Sequence, residues 1–408
     1  MMDQNLVVAG VDTHKDTHHA AVVTRTGQHL AAAEFSTSAA GYRDLAAFIA
    51  GFGPLLRVGV EGTGSYGAGL TRFLCDAGVP VVEVLRPTRQ VRRMRGKSDE
   101  IDAYAAAESA LAGTNCSVPK DRNGDVEAIR VVTAARRSAI AASTDARLQI
   151  RDILVTAPEQ IRAKYQGRHG RPLIAALAKI RLPVHENVVN EHTLWVLRVL
   201  ARRVQALCAE IDQHDATLAT LVDRANRALT QAKGIGVICA ADLLIAAGDN
   251  PDRIRSEAAF AALCGTSPVP ASSGKTIRHR LNRGGNRSAN RALHRIAVVR
   301  LHSDPRTREY AARKRAAGKS TAEILRCLKR AIAREVHHLL SHPPAPIDTS
   351  QLRMTRHAAG ITIETAARDL HCSTATISHI ERGHSSNRAR ITTYRDYLAS
   401  KQTESCAI

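Results

Sequence analysis

Three features predict a mixed α/β head, a helical body and a small all-α tail module. Short apolar runs punctuated by turn residues fill residues 6–85, and apolar residues spaced by three and four recur through residues 126–232. A proline-rich stretch, residues 342–347, precedes one last compact set of helical patterns. Runs of strand length argue for a sheet, three-and-four spacing argues for amphipathic helices, and proline stops a helix.

In the head, residues 6–11 form an apolar strand ending at Asp12, and residues 19–23 a second strand entering a turn at Thr24–Gly27. Residues 29–35 complete a meander. Residues 41–50 have helical spacing through Tyr42, Leu45, Ala46 and Ile49, and residues 55–60 are a strand ending at Glu61. A short helix around Leu70, Phe73 and Leu74 leads to a fifth strand, residues 79–85, and residues 99–111 are an alanine-rich helix without Gly or Pro. This order suits a mixed sheet, for which a ribonuclease H-like arrangement is one candidate.

The body reads as two long helices, residues 126–157 and 193–232, with a break at residues 166–172. Such helices pair as an intramolecular hairpin, or serve as spacers or an oligomer interface. Lys233-Gly-Ile-Gly236 is a turn that opens a helix through residue 247. It either presents backbone N–H groups to a phosphate or simply starts the helix. Residues 265–275 are a loop by composition. Basic residues then recur at 278, 280, 283, 287, 291, 295 and 300, and from Arg283 the spacing of four places a cationic stripe on one helix face.

After the proline-rich linker, residues 351–360 and 362–370 are two helices, and Ser373 or Thr374 caps a third that ends at Arg382-Gly383. This is a helix-turn-helix pattern, whose later helix enters the major groove; a protein-binding helical module is the alternative. Burying Ile377 and Ile380 leaves Ser373, Thr374, Thr376, Ser378, His379 and Arg382 facing outward toward nucleic acid. The expected divisions are residues 1–118, 119–230, 231–341 and 348–400.

Charge is distributed unevenly along the 408 residues, whose formal net charge is +20. Residues 1–115 carry a net −1, whereas residues 251–345 hold 20 Lys/Arg against 6 Asp/Glu. The surplus points to a polyanionic partner, because Lys and Arg neutralise phosphates and release counterions. Eight scattered cysteines with no C-x-x-C pair exclude a zinc ribbon and a disulfide framework, and suit a reducing cytoplasm. No signal peptide and no membrane-length apolar run is visible, so no membrane partner is expected. Aromatic residues make up 3% of the chain, so backbone contacts rather than base stacking should dominate binding.

Four carboxylates stand out by position. Asp12 and Glu61 end strands, and Asp99 and Asp102 lie i, i+3 at a helix start, on one face. Hard oxygen donors suit Mg²⁺, and two such ions about 4 Å apart clamp the oxygens of an in-line phosphoryl transfer. Asp99 can equally be a helix cap, and acidic residues at strand ends are common.

Gly10-Val-Asp12-Thr-His-Lys15, Glu61-Gly-Thr-Gly64 and Lys97-Ser-Asp99-Glu-Ile-Asp102-Ala103 resemble the acidic motifs of the DEDD transposases of insertion sequence 110 type. Gly234-Ile-Gly236, Phe260-Ala-Ala-Leu-Cys-Gly265, Pro268, Ser272-Ser-Gly-Lys275, Gly285-Asn-Arg287 and Arg291-Ala-Leu293 are similar to that family's C-terminal domain. The resemblance spans residues 6–340. It implies a RuvC-like, ribonuclease H-like catalytic domain in which Asp12, Glu61, Asp99 and Asp102 hold Mg²⁺ or Mn²⁺, two ions per site. It implies a catalytic serine at Ser273, with Ser272 the neighbouring alternative, that joins covalently to DNA during strand exchange. It further implies a guide (bridge) RNA, with element-end and target DNA as partners; because strand exchange needs four cuts, a homodimer or homotetramer is expected, with the middle helices as its interface, in a cytoplasmic, nucleoid-associated location. Lys275, Arg278, Arg280, Arg283, Arg287 and Arg291 are the expected nucleic-acid contacts around the serine. The tail module resembles the lambda-repressor/Cro type and lies outside that family's two-domain core. A hydrolytic RuvC-like endonuclease and a non-catalytic helix-turn-helix regulator are the competing functions.

Overall fold

The structure is a computed structural model that describes residues 6–85, 98–182, 187–272, 279–342, 349–382 and 388–405, with backbone only for residues 388, 389 and 403–405. The chain forms two compact units, one of residues 1–122 and 248–255 and one of residues 123–247 and 256–408.

The first unit is built on a six-stranded sheet in the order β3-β2-β1-β4-β5-β6. Its strands are β1 (Val7–Thr13), β2 (Thr17–Thr24), β3 (His29–Ser36), β4 (Leu55–Glu61), β5 (Val81–Val84) and β6 (Cys116–Ser117). β1, β2 and β3 form an antiparallel meander, and β4 and β5 run parallel to β1. This is the expected mixed, ribonuclease H-like sheet. β6 is an addition: two residues antiparallel to β5, too short to show a period-2 pattern.

β1 is buried along its whole length because it is central and covered on both faces. Val7, Ala9 and Val11 pack with Leu45 and Ile49 of helix α1 (Ala39–Ala50) and with Leu70 and Leu74 of α2 (Ala68–Asp76). The alternate residues Val8 and Gly10 face α3 (Asp99–Ala112). Small residues let α3 approach closely. A Cβ on Gly10 would sit 2.1 Å from the Ala107 nitrogen, and one on Gly59 would sit 2.7 Å from the Ala106 oxygen. Ser98, rather than Asp99, caps α3 by accepting from the Ile101 N–H, which leaves the Asp99 carboxylate available for other contacts.

In the second unit, α4 (Asp125–Thr156) and α7 (Val188–Gln231) pack as an antiparallel hairpin, the intramolecular alternative read in the sequence. Its core joins Ala146 and Ile150 to Leu194, Leu197 and Leu200. The expected break is only partly one. α5 (Glu159–Tyr165) precedes it, and α6 (Gly170–Ala178) begins inside it, because Pro172 falls in a first helical turn, where proline is tolerated.

α8 (Val237–Ala247) follows the Gly234-Ile-Gly236 turn, and α9 (Glu257–Leu263), the β7 (Val269–Pro270) and β8 (His279–Arg280) hairpin and α10 (Arg287–Ser303) come next. The helix read from Arg283 therefore starts four residues later. Gly285 adopts φ +80° with its backbone tight against Leu263, and Asn286 caps Ala289, so Arg280 and Arg283 precede the helix. α11 (Pro305–Ala316) and the capping-box helix α12 (Thr321–Ser341) complete this part.

Among the described residues the tail module has four helices: α13 (Leu352–Ala358), α14 (Ile363–Asp369), α15 (Thr374–Glu381) and α16 (Arg388–Ser405). Ser373 is the cap of α15, and His371 takes φ +48° in the turn before it. α16 was not among the sequence expectations. It supplies Ile391, Tyr394 and Leu398 to the module's core.

Candidate functional site

Strand alternation places Asp12 and Glu61 on the α3 face. Gly10 pairs with Gly59 in the parallel β1–β4 register, and Asp12 and Glu61 each lie two residues further along the same face. Both are buried, at 2% and 5% exposure, which is unusual for carboxylates. The Thr13 hydroxyl ties the two strand ends by donating to the Glu61 carbonyl over 3.0 Å. α3 begins beside them with Asp99, Glu100 and Asp102 in its first turn, where the helix dipole favours anions.

The described residues bring Asp12, His14 and Asp99 together, with one potential ligand atom from each within 4.8 Å of the others. His14 Nε2 lies 3.1 Å from Asp12 Oδ2 and 3.3 Å from Asp99 Oδ1; this atom is shielded from solvent, though the side chain is half-exposed, and among the described residues it makes no aligned hydrogen bond. Donors that converge at ion-pair distance without an aligned hydrogen bond fit a shared cation. Two carboxylates and an imidazole are a donor set for a divalent ion. Glu61 and Asp102 flank this cluster from the neighbouring strand and the same helical turn, but the ligand-distance cluster does not include them.

Sequence reasoning assigned no role to His14, nor to His19. His14 is i+2 from Asp12 and one residue past the end of β1, so a strand period continued by one residue puts both on one face. His19 pairs with Asp12 in the β1–β2 register, and its Nε2 lies 2.9 Å from Glu34 and 3.7 Å from Asp99. Only the cross-strand register, which a single strand's pattern does not contain, reveals that contact.

In the basic block, Ser273, Lys275 and Arg278 lie outside the described residues. Arg280, Arg283, Arg287 and Arg291 are all exposed. Part of the expected stripe has turned inward. Arg300 donates to both Glu335 oxygens over 2.6 and 2.9 Å and to the Lys233 carbonyl over 2.7 Å. Asp242 is buried on α8, and burial pushes its carboxyl above the usual carboxylate range against the opposing pull of Arg137 and Arg291.

In the tail module, Ser373, Thr374, His379 and Arg382 are exposed, while Thr376 and Ser378 are half-buried. The Ser373 hydroxyl serves the Thr376 N–H, and the Arg382 guanidinium returns to the Ser378 hydroxyl over 2.8 Å. Behind this face, Arg356 and Glu381 form an ion pair of which each side chain is only 4% exposed, and the Tyr394 hydroxyl also donates to Glu381.

An acidic cluster at the strand ends of a ribonuclease H-like sheet, in a chain that also carries a helix-turn-helix, is the arrangement that the resemblance to DNA-processing DEDD transposases implies. Comparisons agree along the chain. A DEDD transposase profile of IS110 type matches residues 9–157, a transposase profile of the IS116/IS110/IS902 family matches residues 226–312, and a helix-turn-helix profile matches residues 350–397. The chain is 24% identical over 372 residues to the insertion element IS900 uncharacterized 42 kDa protein of Mycobacterium paratuberculosis, covering 79% of this chain and 93% of that protein. It is 38% identical over 103 residues to the insertion element IS110 uncharacterized 43.6 kDa protein of Streptomyces coelicolor, 25% of each chain. The chain belongs to the IS110-type DEDD transposases, with a helix-turn-helix domain added. No described helix is long and apolar enough to cross a membrane.

Proposed function

We propose that this chain cuts and exchanges DNA strands of an insertion sequence through a divalent-metal site and a covalent serine–DNA intermediate. The observation that carries the reading is the convergence of Asp12, His14 and Asp99 at the sheet end, in a chain of this family. Asp12, His14 and Asp99 would hold the ion, with Glu61 and Asp102 beside them, and Mg²⁺ or Mn²⁺ there supplies Lewis-acid stabilisation of phosphoryl oxygens.

The chain's own residues do the rest. Burial keeps Asp12 and Glu61 in a fixed, poorly solvated setting, and the α3 N-terminus fixes Asp99 and Asp102 as a rigid pair. In the proposed chemistry the Ser273 oxygen attacks a backbone phosphorus, the bond to one deoxyribose oxygen breaks, and the serine proton passes to that leaving oxygen. A hydroxyl of the incoming strand later displaces the serine, which recovers a proton. The phosphodiester count is unchanged, so no external energy source is needed. A bridge RNA would choose donor and target, subunits would associate to supply four cuts, and action on DNA would place the protein in the cytoplasm at the nucleoid. The divisions at residues 118, 230 and 341 are proposed as the functional ones.

The test uses the full-length protein with labelled element-end DNA and Mn²⁺. Wild type should cleave and leave a denaturation-resistant protein–DNA adduct. Asp12→Asn should cut at least about 100-fold less while still binding DNA, and Ser273→Ala should form no adduct. Undiminished cleavage by Ser273→Ala would establish the hydrolytic endonuclease instead, and unaltered cellular effects of Asp12→Asn would favour the regulator. Sequencing of copurified nucleic acid checks the guide.

A further inference from the structure

The strongest unassigned feature of the second unit is a cavity of about 780 Å³ between the β7–β8 hairpin and α12. It is lined by Arg280, Lys319, Arg326, Lys329 and Arg330. Among the described residues Arg280 makes no ion pair, and Lys319 and Arg326 share the single charge of Glu323, which also lines the cavity. The carboxylates at hand are already engaged: Glu323 is held by Ser320 in the capping box, and Glu257 bridges Arg330 and Arg334.

Two observations mark this as a ligand site rather than a solvated charged face. The Lys329 ammonium is half-buried and among the described residues donates to a neutral group, the Asn290 Oδ1 at 2.6 Å, and burial pulls its pKa below the usual lysine range. The Arg330 Nη1 is buried with no hydrogen-bond partner among the described residues. Withdrawing the Lys329 ammonium from water beside a neutral partner is costly, and an anion entering the cavity would offset that cost and satisfy the Arg330 Nη1, which the pair with Glu257 does not use. The volume lies within the range of ligand pockets, roughly 300–1,000 Å³, so it suits the sugar–phosphate chain of one strand rather than a whole duplex.

We propose that this cavity is a phosphodiester-binding cleft for a single DNA strand, with Lys319, Arg326 and Lys329 as its principal cations. The inference rests on the DNA-exchange reading, which supplies the partner. The hairpin strands that wall the cleft flank residues 271–278, so in sequence the cleft adjoins the proposed serine. Lys319, Arg326, Lys329 and Arg330 all lie beyond residue 312, outside the segment matched by the transposase profiles.

The test measures binding of the full chain to a fluorescein-labelled single-stranded DNA across a salt series, beside RNA of the same sequence. Lys319 and Arg326 are exposed, so Lys319→Ala/Arg326→Ala should fold normally, as a thermal melt will show. Adding Lys329→Met gives the triple variant. Each lost phosphate contact should flatten the slope of log affinity against log salt by about 0.7, hence by about 1.4 in the double variant and about 2 in the triple. Wild-type affinity and slope retained in the folded double variant would overturn the cleft while leaving the DNA-exchange reading intact. A loss confined to RNA would overturn the assignment to DNA, and a wild-type chain that binds no DNA would overturn both readings.

Discussion

The head and the tail module both bury ionisable side chains, but they treat them in opposite ways. In the tail, Arg356 and Glu381 neutralise each other, Tyr394 donates to Glu381, and Arg356 also reaches the Ile361 carbonyl over 2.8 Å. Burial alone would raise the Glu381 pKa, but the hydrogen bonds from Arg356 and Tyr394 outweigh it and hold the carboxyl below its usual range. In the head, Asp12 is as deeply buried, yet among the described residues it meets His14 and a second carboxylate, Asp99, rather than a guanidinium. A closed pair is scaffold; an open carboxylate is a place kept for a cation.

The largest effect follows from breaking the closed pair. Arg356→Ala should destabilise the tail module by about 3–5 kcal/mol, because it strands a buried carboxylate. The loss should appear in the full chain as early proteolysis between residues 349 and 405 and weaker DNA binding, with the melting of the head unchanged. An equally stable variant would show that Glu381 is not dependent on its partner.

The open carboxylate should respond with the opposite sign. In the presence of a chelator, Asp12→Asn should leave the head as stable as wild type or raise its stability by about 1–3 kcal/mol, since it removes one of two carboxylates gathered around His14. Added Mn²⁺ should raise the melting temperature of wild type and not of the variant, because only a native-state site gains from mass action. A clear loss of stability without metal would place Asp12 among structural residues and erase the contrast between the two regions.

Next in size is the close approach that aligns the acidic residues. Gly10→Ala would set a methyl 2.1 Å from the α3 backbone at Ala107, where no flexible side chain can yield. The expected cost is about 1–3 kcal/mol by thermal melting, with a further loss of metal-dependent cleavage as the Asp99 turn lifts away from Asp12. A variant of unchanged stability and activity would show that α3 is free to move.

Much of this was legible in the sequence for physical reasons. The head's strands are Val- and Ala-rich runs of strand length, and the long helices repeat their apolar residues often enough to fix their type. Asp12 and Glu61 were visible because a carboxylate that ends an apolar strand interrupts the pattern. Features set by tertiary pairing were not visible. β6 has two residues, α16 is polar along most of its length, and the late start of α10 depends on Gly285 packing against Leu263. The inward turn of Arg300 likewise follows from Glu335, 35 residues away on another helix.

The smallest effect concerns a buried histidine within electrostatic reach of Asp12 and His14. His18 is fully buried on β2, stacks on Tyr42 with ring centroids 5.8 Å apart, and neither ring nitrogen has an aligned hydrogen bond. Burial lowers its pKa below the ordinary histidine value. The unfolded chain therefore binds a proton, near pH 6.5, that the folded chain resists. The stability contribution is complete above about pH 6.5 and is lost as pH falls from there toward the folded pKa, with a slope of at most about 1.4 kcal/mol per pH unit. Melting wild type and His18→Leu between about pH 7.5 and 5 tests this, because the variant lacks the titrating ring and should lose less stability on acidification. Parallel curves for the two proteins would mean that the head accommodates a charged His18, and that its buried groups are less sharply divided from the tail's than the structure indicates.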